Sequence, residues 1–360
     1  MFPIQSRVFH FLEFLMKKKL IALAVLAVSG VASAQSSVTL YGLIDANVGT
    51  SRVKVSSPGV ATSSTRQTVM DSGGFNTSRF GLKGSEDLGS GLKANFMLEA
   101  GFNVDTGVEN NYTNPFTGVV SNATFGRQSW VGLSGGFGEV RVGKMWTPYD
   151  EVKGSGAAAF DANIFAPATG VWVSNSYQDR PGNALYYATP SFSGFSAAAM
   201  YSFGENKTTT ASAGKIASFN VQYAGGPLAA ALAYQTEKQG GASLITDTTK
   251  FTQLNSSYDF GPAKLLAAYG YVKSGIDKAK EFQVGVDVPV GAVTVSGGVA
   301  RSKVTLGAGG ELKSTGVGLA AKYDLSKRTF LYTGLQLAKN EIAGSEVKTD
   351  TFAVGVQHKF

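Results

Sequence analysis

Residues 281–288, Glu-Phe-Gln-Val-Gly-Val-Asp-Val, alternate between polar or small side chains and apolar ones. Because successive side chains on a β-strand point to opposite faces, this segment has one wet face and one apolar face. The same two-residue period recurs through most of the chain after Ser37, with clear examples at 217–223, 228–235, 317–324 and 352–360. The sequence therefore predicts an all-β protein built from amphipathic strands.

Two kinds of connection alternate between these segments. Seven are short: 87–91, 134–138, 190–194, 224–227, 261–262, 289–291 and 325–327. Eight are longer and polar: 53–77, 103–123, 146–183, 204–214, 238–249, 273–279, 304–312 and 340–347. Together they join sixteen strands and leave both chain ends on the side of the short turns. An even number of antiparallel strands, with short turns at one end and long loops at the other, is typical of a transmembrane outer-membrane barrel.

Soluble β-sandwiches also alternate, so the period alone leaves both architectures open. Two observations favour the membrane barrel. Aromatic residues collect beside the turns on the apolar face, as in the girdles of membrane barrels: Tyr201, Phe203, Tyr223, Tyr234, Tyr258, Phe260, Tyr269, Tyr271, Phe282 and Tyr323. The chain also ends on a bare aromatic, Phe360, for which a soluble strand has little use. A closed barrel satisfies the bilayer's demand that no backbone polar group faces lipid unpaired.

The amino-terminal segment has the order of a secretory signal peptide. Lys17, Lys18 and Lys19 precede the apolar run Leu20–Val28, and Ala-Ser-Ala at 32–34 follows. We predict cleavage after residue 34, Met16 as the natural initiator with 1–15 a miscalled start, and a single barrel domain over 35–360. The apolar run is too short to cross a bilayer as a helix.

Composition excludes several other classes. The chain has no Cys and two His, so it offers no disulfide framework, no thiolate metal site and little His-based catalysis. The net charge of +7 falls to about +4 once four basic residues and one acid leave with residues 1–34. A charge so small and so dispersed predicts no nucleic-acid partner. We predict no metal and no cofactor.

One connection differs from all the others. Residues 146–183 show no sustained alternation and are rich in Ala, Gly, Ser and Asn. They carry four acids (Asp150, Glu151, Asp161, Asp179) against Lys153 and Arg180. Loops this long are usually functional or disordered. Inside a wall of hairpins, such a loop predicts a pore with an internal constriction, and an exposed surface loop is the alternative.

Two hairpins resemble the signature hairpins of the proteobacterial (Gram-negative) general porins. The first is Ser-Arg-Phe-Gly-Leu-Lys-Gly-Ser-Glu-Asp-Leu-Gly at 78–89, which continues to Ala94. The second begins Phe-Gly-Arg-Gln-Ser-Trp-Val-Gly-Leu at 125–133 and runs on to Val140. The start at 38–45 and the end at 358–360 are also similar to that family, so the resemblance spans the chain after residue 34.

The resemblance implies a trimeric barrel of sixteen strands whose third loop, about 147–183, folds inward to narrow the channel. It also implies that Phe360 is part of the signal recognised by the outer-membrane barrel assembly machinery. The chain departs from the family pattern at two points. The third loop lacks a Pro-Glu-Phe-Gly-type turn, and Tyr186 occupies a strand position that is often basic.

Alternation assigns the faces of the early strands from the apolar side chains expected to meet lipid: Phe80, Leu82, Trp130, Val140 and Val142. The intervening residues, Ser129 among them, then face the lumen. Four of these are basic and form a predicted basic wall: Arg79, Lys83, Arg127 and Arg141. The resemblance places the loop across the bore from this wall, with Asp150, Glu151 and Asp161 as the candidate constriction acids. The alternative is that these charges only solvate the lumen or pair with one another.

Opposed rows of charge in a narrow bore would guide cations and anions along separate sides, and bore width would set a size limit. We therefore predict a water-filled channel for passive diffusion of ions and small hydrophilic solutes, weakly favouring anions, in the outer membrane. Its expected partners are two further copies of itself, outer-membrane lipid and lipopolysaccharide. A barrel hydrolase is disfavoured because the only His after residue 34, His358, lies at the rim on the apolar face. An adhesin or a substrate-specific channel is the remaining alternative.

Overall fold

The computed structural model describes residues 37–116, 118–241 and 247–360; the predicted signal peptide lies outside them. These residues form an antiparallel sheet and one short two-stranded ribbon. The strands are β1 (Ser37–Ser57), β2 (Val60–Ser72), β3 (Arg79–Gly89), β4 (Leu92–Gly101), β5 (Asn111–Thr113), β6 (Val120–Asn122), β7 (Gln128–Gly135), β8 (Gly138–Lys144), β9 (Ala184–Ala188), β10 (Phe195–Phe203), β11 (Lys215–Gly225), β12 (Leu228–Lys238), β13 (Thr248–Asp259), β14 (Lys264–Ser274), β15 (Asp277–Val290), β16 (Val293–Thr305), β17 (Glu311–Asp324), β18 (Thr329–Ile342) and β19 (Ser345–Lys359). A one-turn helix, α1 (Pro148–Glu151), and three 3₁₀ turns (Lys153–Gly156, Ala159–Asp161, Val173–Asn175) lie between β8 and β9. No helix among the described residues is long and apolar enough to span a membrane.

The two faces of the sheet are inverted relative to a soluble protein. On β15, Phe282 and Val284 are 50% and 52% exposed, whereas Glu281 and Gln283 on the other face are buried. The other long strands repeat this arrangement, with apolar side chains outside and Asn, Gln, Ser and Gly inside. An apolar exterior around a polar interior is the arrangement that a bilayer requires of a barrel.

The sheet closes on itself. β1 pairs with β19 along residues 43–56, and on its other side the first half of β1 pairs with β3. The ring of β1, β3, β4 and β7 to β19 contains sixteen strands, which confirms the predicted number. The extra strand, β2, pairs with the second half of β1 and extends the wall beyond the ring.

The seven short turns occur where the sequence predicts them, at one end of the barrel. Three of the predicted long loops are instead largely strand. Residues 53–77 are mostly the β1–β2 hairpin, and 273–279 and 340–347 are tight hairpins whose strands continue through the polar residues. Polar composition did not interrupt these strands because the backbone ladder can continue beyond the bilayer. Gly275 and Gly344, with φ of 56° and 81°, supply the turns.

Candidate functional site

The connection between β8 and β9 enters the barrel, as predicted. Its first turn, α1, is capped by Thr147, whose side chain accepts a hydrogen bond from the Asp150 backbone N–H. Pro148 occupies the first position of the turn. Two bonds fix this turn to β11 of the wall. The Ser218 hydroxyl accepts from the Tyr149 N–H at 3.0 Å, and the Asn220 amide donates to the Pro148 carbonyl at 2.7 Å.

The middle of the loop approaches the wall so closely that the wall positions facing it must be glycine. A β-carbon at Gly318 of β17 would lie 2.1 Å from the Phe165 carbonyl oxygen. A β-carbon at Gly316 of the same strand would lie 1.9 Å from the Pro167 carbonyl oxygen. Phe165, Ala159 and Ala162 are completely buried against this part of the barrel. The lumen-facing glycines of β17 therefore mark where the loop rests.

The last part of the loop is held by a buried carboxylate. Glu281 of β15 accepts from the backbone N–H groups of Val173 (2.5 Å) and Ser174 (3.0 Å), and from the hydroxyls of Ser174 and Ser302. Because a buried charge needs partners, this set of four donors explains why an acid is tolerated there. The loop is thus attached along β11 to β17, opposite β3, β4 and β7.

A second inward segment meets the tip of the loop. Residues 73–78, between β2 and β3, turn into the lumen, and Asp45 accepts from the N–H groups of Phe75 and Asn76 and from the Tyr332 hydroxyl. In turn, the backbone N–H groups of Asn163 and Ile164 in the loop donate to carbonyl groups of this segment. The tip itself, residues 159–161, has three consecutive positive φ values (51°, 64° and 49°) in non-glycine residues. Strain of this kind persists only where surroundings enforce it, and it concentrates at functional sites.

Between the loop tip and the opposite wall lies a polar cavity of about 410 Å³, here called the constriction cavity. Its charged lining comprises four basic residues (Arg79, Arg127, Lys153, Arg180) and four acids (Glu99, Asp150, Asp161, Asp179). Glu99 of β4 is nearly buried and contacts both wall arginines, at 3.5 Å from Arg79 Nε and 2.8 Å from Arg127 Nε. One carboxylate therefore serves two guanidinium groups, which leaves this side of the cavity positive.

Trp146 lies between two of these cations. The guanidinium carbons of Arg180 and Arg127 are 4.4 Å and 5.4 Å from the centre of its ring. A cation over an indole is stabilised by the negative face of the ring. Arg180 also pairs with Asp179 at 3.1 Å. The loop therefore contributes both an aromatic support and a third guanidinium to the basic side of the cavity.

The structure separates the four residues of the predicted basic wall into two groups. Arg79 and Arg127 line the constriction cavity. Lys83 and Arg141 line a second recess of about 380 Å³, nearer the short turns. There Arg141 pairs with Glu139 at 2.5 Å and lies over the rings of Trp130 and Tyr186.

The three predicted constriction acids also differ in position. Asp150 and Asp161 line the cavity, and Asp150 accepts from the Tyr177 hydroxyl. Glu151 is not in its lining; it accepts from the Tyr186 hydroxyl at 2.8 Å and from the Asn220 amide at 3.3 Å. Burial raises the pKa of Asp150 to about 7, and burial also raises the pKa of Glu151 and of Asp161.

One assignment of faces was wrong. Trp130 was expected to face lipid and Ser129 the lumen, but Trp130 is buried inside while Val131 and Leu133 are 55% and 45% exposed. The assignment failed because an aromatic residue was taken as a lipid contact, whereas this ring supports Arg141. Arg127 still enters the cavity because it precedes β7, where its N–H donates to the Glu99 carbonyl and strict alternation has not begun.

Five charged or aromatic residues of the cavity were not predicted as site residues: Glu99, Trp146, Lys153, Asp179 and Arg180. Lys153 and Arg180 stand out as bases of an acidic loop, but no periodicity indicates which way an irregular loop turns them. Glu99 could have been found by extending the alternation of β4. Trp146 carries no signal of its own, since its role depends on two cations brought from elsewhere.

A sequence profile of a family described as Gram-negative porin matches residues 20–343. Outer membrane porin protein 32 of Delftia acidovorans is 37% identical over 360 residues, covering 95% of each chain. An outer membrane porin protein of Bordetella pertussis is 32% identical, covering 96% of this chain and all of that one. An anion-selective porin from Comamonas acidovorans superimposes with a TM-score of 0.72 at 30% identity, over 90% of this chain and all of the other.

Proposed function

This chain belongs to the Gram-negative porin family, and we propose that its outer-membrane channel favours anions weakly as ions and small hydrophilic solutes diffuse through it. Its family and fold are those of a channel rather than an enzyme. One observation carries the proposed selectivity. Three guanidinium groups, from Arg79, Arg127 and Arg180, converge on one side of the constriction cavity.

The acids of the cavity do not balance these charges equally at neutral pH. Guanidinium groups remain protonated throughout the physiological range. The carboxyl of Asp150, with its pKa raised by burial to about 7, is only partly ionised there, and the raised pKa of Asp161 acts in the same direction. The cavity therefore has a modest positive excess near pH 7. The related anion-selective porin from Comamonas acidovorans agrees with this sign.

The preference should be weak because lumen water screens charges over roughly 10 Å at ordinary salt. The loop acids still face the wall arginines across the bore, which sets up a transverse field. Such a field orients dipolar solutes and separates the paths of cations and anions. The width left by the loop sets the size limit.

Replacing both wall arginines tests this proposal. The double variant Arg79→Ser/Arg127→Ser should shift the reversal potential under a salt gradient toward cation preference, most clearly in dilute salt. The matched control is Arg66→Ser/Arg328→Ser, which removes the same charge from exposed positions outside the cavity. An unchanged reversal potential in the first variant would mean that these arginines do not set the selectivity.

The quaternary structure and the partners are proposed on family grounds. A trimer is supported by an apolar groove on the outer face of β1, β18 and β19, lined by Val48, Leu331, Val354 and Val356. β1 also contains the small residues Gly42, Ala46 and Gly49, which would let neighbouring copies approach closely, but they do not share one face. Gly49 faces the lumen, and Gly42 is covered by Phe360. A monomeric mass in mild detergent would contradict the trimer.

The processing of the chain follows from the same proposal. Residues 1–34 act as a cleaved signal, and residues 35–360 form the barrel. Amino-terminal sequencing of the outer-membrane protein should begin at or near Gln35. Lipopolysaccharide of the outer leaflet and the barrel assembly machinery are the remaining proposed partners.

A further inference from the structure

The outward face of β13 to β17 carries a band of lysines beyond its apolar region. On each strand these lysines share a face with exposed apolar residues, among them Leu254, Tyr269, Phe282 and Val299. The opposite face of the same strands is buried against the loop and the lumen. The lysines therefore point away from the channel, and all of them are exposed.

Their register places like charges directly opposite one another. Lys303 of β16 is the Cα partner of Lys280 on β15 and of Lys313 on β17. A second row lies farther from the apolar region, where Lys273 of β14 is the partner of both Lys250 on β13 and Lys278 on β15. Two rows of three lysines thus cross neighbouring strands that lie about 4.8 Å apart.

Such rows are unfavourable in isolation. Like charges directly opposite on antiparallel strands destabilise the pair. One acid, Glu311, offsets the first row by contacting Lys303 at 2.6 Å and Lys313 at 3.5 Å. No acidic side chain in the described part of the chain lies within salt-bridge distance of Lys250, Lys273, Lys278 or Lys280. On the described surface, these four lysines therefore have no protein anion to offset their charges.

The depth of the rows indicates where those anions come from. They lie at the end of the barrel opposite the short turns, immediately beyond the exposed ring of Phe282 and the aromatic pair Tyr269 and Tyr271. Rings of this kind sit at headgroup depth. Because the short turns of outer-membrane barrels are periplasmic, the rows lie at the headgroups of the outer leaflet.

We propose that the two lysine rows form a binding site for the phosphates of an outer-leaflet glycolipid of the lipopolysaccharide type. Lysine ammonium groups bind phosphate as point charges, and three in line can share the oxygens of one multivalent headgroup. The inference rests on the proposed outer-leaflet partner and gives it a location. It is independent of the constriction, because these side chains lie on the other face of the wall.

The test uses the folded barrel freed of glycolipid in a non-ionic detergent. Fluorescently labelled lipopolysaccharide is titrated with wild type and with Lys250→Gln/Lys273→Gln/Lys278→Gln, the row without an acidic partner, and binding is followed by polarisation. Basic residues near an anionic lipid surface have an additive effect, so losing three should weaken binding about a hundredfold. The matched control, Lys93→Gln/Lys207→Gln/Lys327→Gln, removes three exposed lysines from other regions and should bind as wild type does.

Thermal unfolding provides a readout that a merely misfolded variant would not mimic. Without glycolipid, the row variant should melt above wild type, because the opposed charges are gone. Added lipopolysaccharide should raise the melting temperature of wild type more than that of the variant, which keeps the other row. The reversal potential of the row variant should equal that of wild type. A failure of the proposed anion selectivity would therefore be seen separately, in the arginine variants.

Four results would overturn the assignment. The row variant could bind as tightly as wild type, or the control could lose as much affinity. Chemically dephosphorylated glycolipid could bind wild type as well as the intact form. Inorganic phosphate could stabilise wild type as much as the glycolipid does, in which case the rows take free anions and not a lipid.

Discussion

At the scale of single residues, the constriction depends on how burial divides the charges. Arg79, Arg127 and Arg180 line the cavity. Asp150, in the first turn of the loop, accepts a hydrogen bond from the Tyr177 hydroxyl, and burial raises its pKa. An acid with a raised pKa is neutral below that pKa and charged above it. The sign of the cavity therefore depends on pH in a way that composition alone would not suggest.

Anion preference should fall as pH rises. Burial holds the pKa of Asp150 at about 7, so the carboxyl gains a negative charge between pH 6 and 8. Reversal potentials measured across that range should move toward cation preference as pH increases. Asp150→Asn removes the titrating group and should flatten this part of the profile. A wild-type profile without a step near neutrality would show that Asp150 does not act on permeating ions.

Trp146 should act on selectivity through the two guanidiniums beside it. Contacts of this kind contribute about 0.5–2 kcal/mol, enough to hold Arg127 and Arg180 close together despite their like charges. Trp146→Ala removes this support, so both guanidinium groups should lose their fixed positions beside the cavity, which weakens anion preference. It should also raise conductance, because bulk is lost from the cavity.

The phenylalanine variant separates these two effects. Trp146→Phe also loses bulk but keeps an aromatic face for the cations. It should therefore raise conductance while retaining most of the anion preference. If both variants change conductance and neither changes the reversal potential, the ring is only a spacer.

At the scale of elements, the strands were predictable and the loop interior was not. The sixteen-strand barrel follows from alternation and turn chemistry, which are local properties of the chain. The lumen-facing positions of Arg79, Lys83 and Arg141 follow in the same way. The error at Trp130 and the missed Arg180 share one cause: each side chain is placed by a cation–ring contact, Arg141 over Trp130 and Arg180 over Trp146, that no local pattern predicts. Irregular segments have no period from which such contacts can be inferred.

The contact between the loop and β17 can be tested by a substitution in β17. Gly318→Ala would place a methyl group against the Phe165 carbonyl, a backbone atom that cannot move without the loop. The loop should shift away from the wall into the bore and lower the single-channel conductance. Overpacking of this kind typically costs about 1–3 kcal/mol, so the melting temperature should fall as well.

Gly297→Ala is the matched control. Its β-carbon would meet first the flexible Leu319 side chain, at 3.1 Å, on the outward face of β16. Conductance and stability should then stay close to wild type. Equal behaviour of the two variants would mean that the glycines of β17 do not set the position of the loop.

At the scale of the whole molecule, the barrel is closed by its last residue. The N–H of Phe360 donates to the Gly42 carbonyl at 3.0 Å, and the N–H of Gly42 donates to the Phe360 carbonyl at 3.1 Å. The ring of Phe360 lies over Gly42, where a β-carbon would be 2.4 Å from it. The chain end thus completes the ladder between β1 and β19 and covers the start of the barrel.

Closure and recognition by the assembly machinery are separable roles of Phe360. Deleting the residue removes both backbone bonds and the ring, so it should reduce the yield of heat-modifiable barrel in cells and slow refolding in detergent. Phe360→Ala keeps the two backbone bonds, because alanine retains its N–H and C=O, and should refold in detergent at nearly the wild-type yield. If the ring is the assembly signal, this variant should still assemble poorly in cells. Normal assembly of Phe360→Ala in the outer membrane would limit the role of Phe360 to closing the sheet.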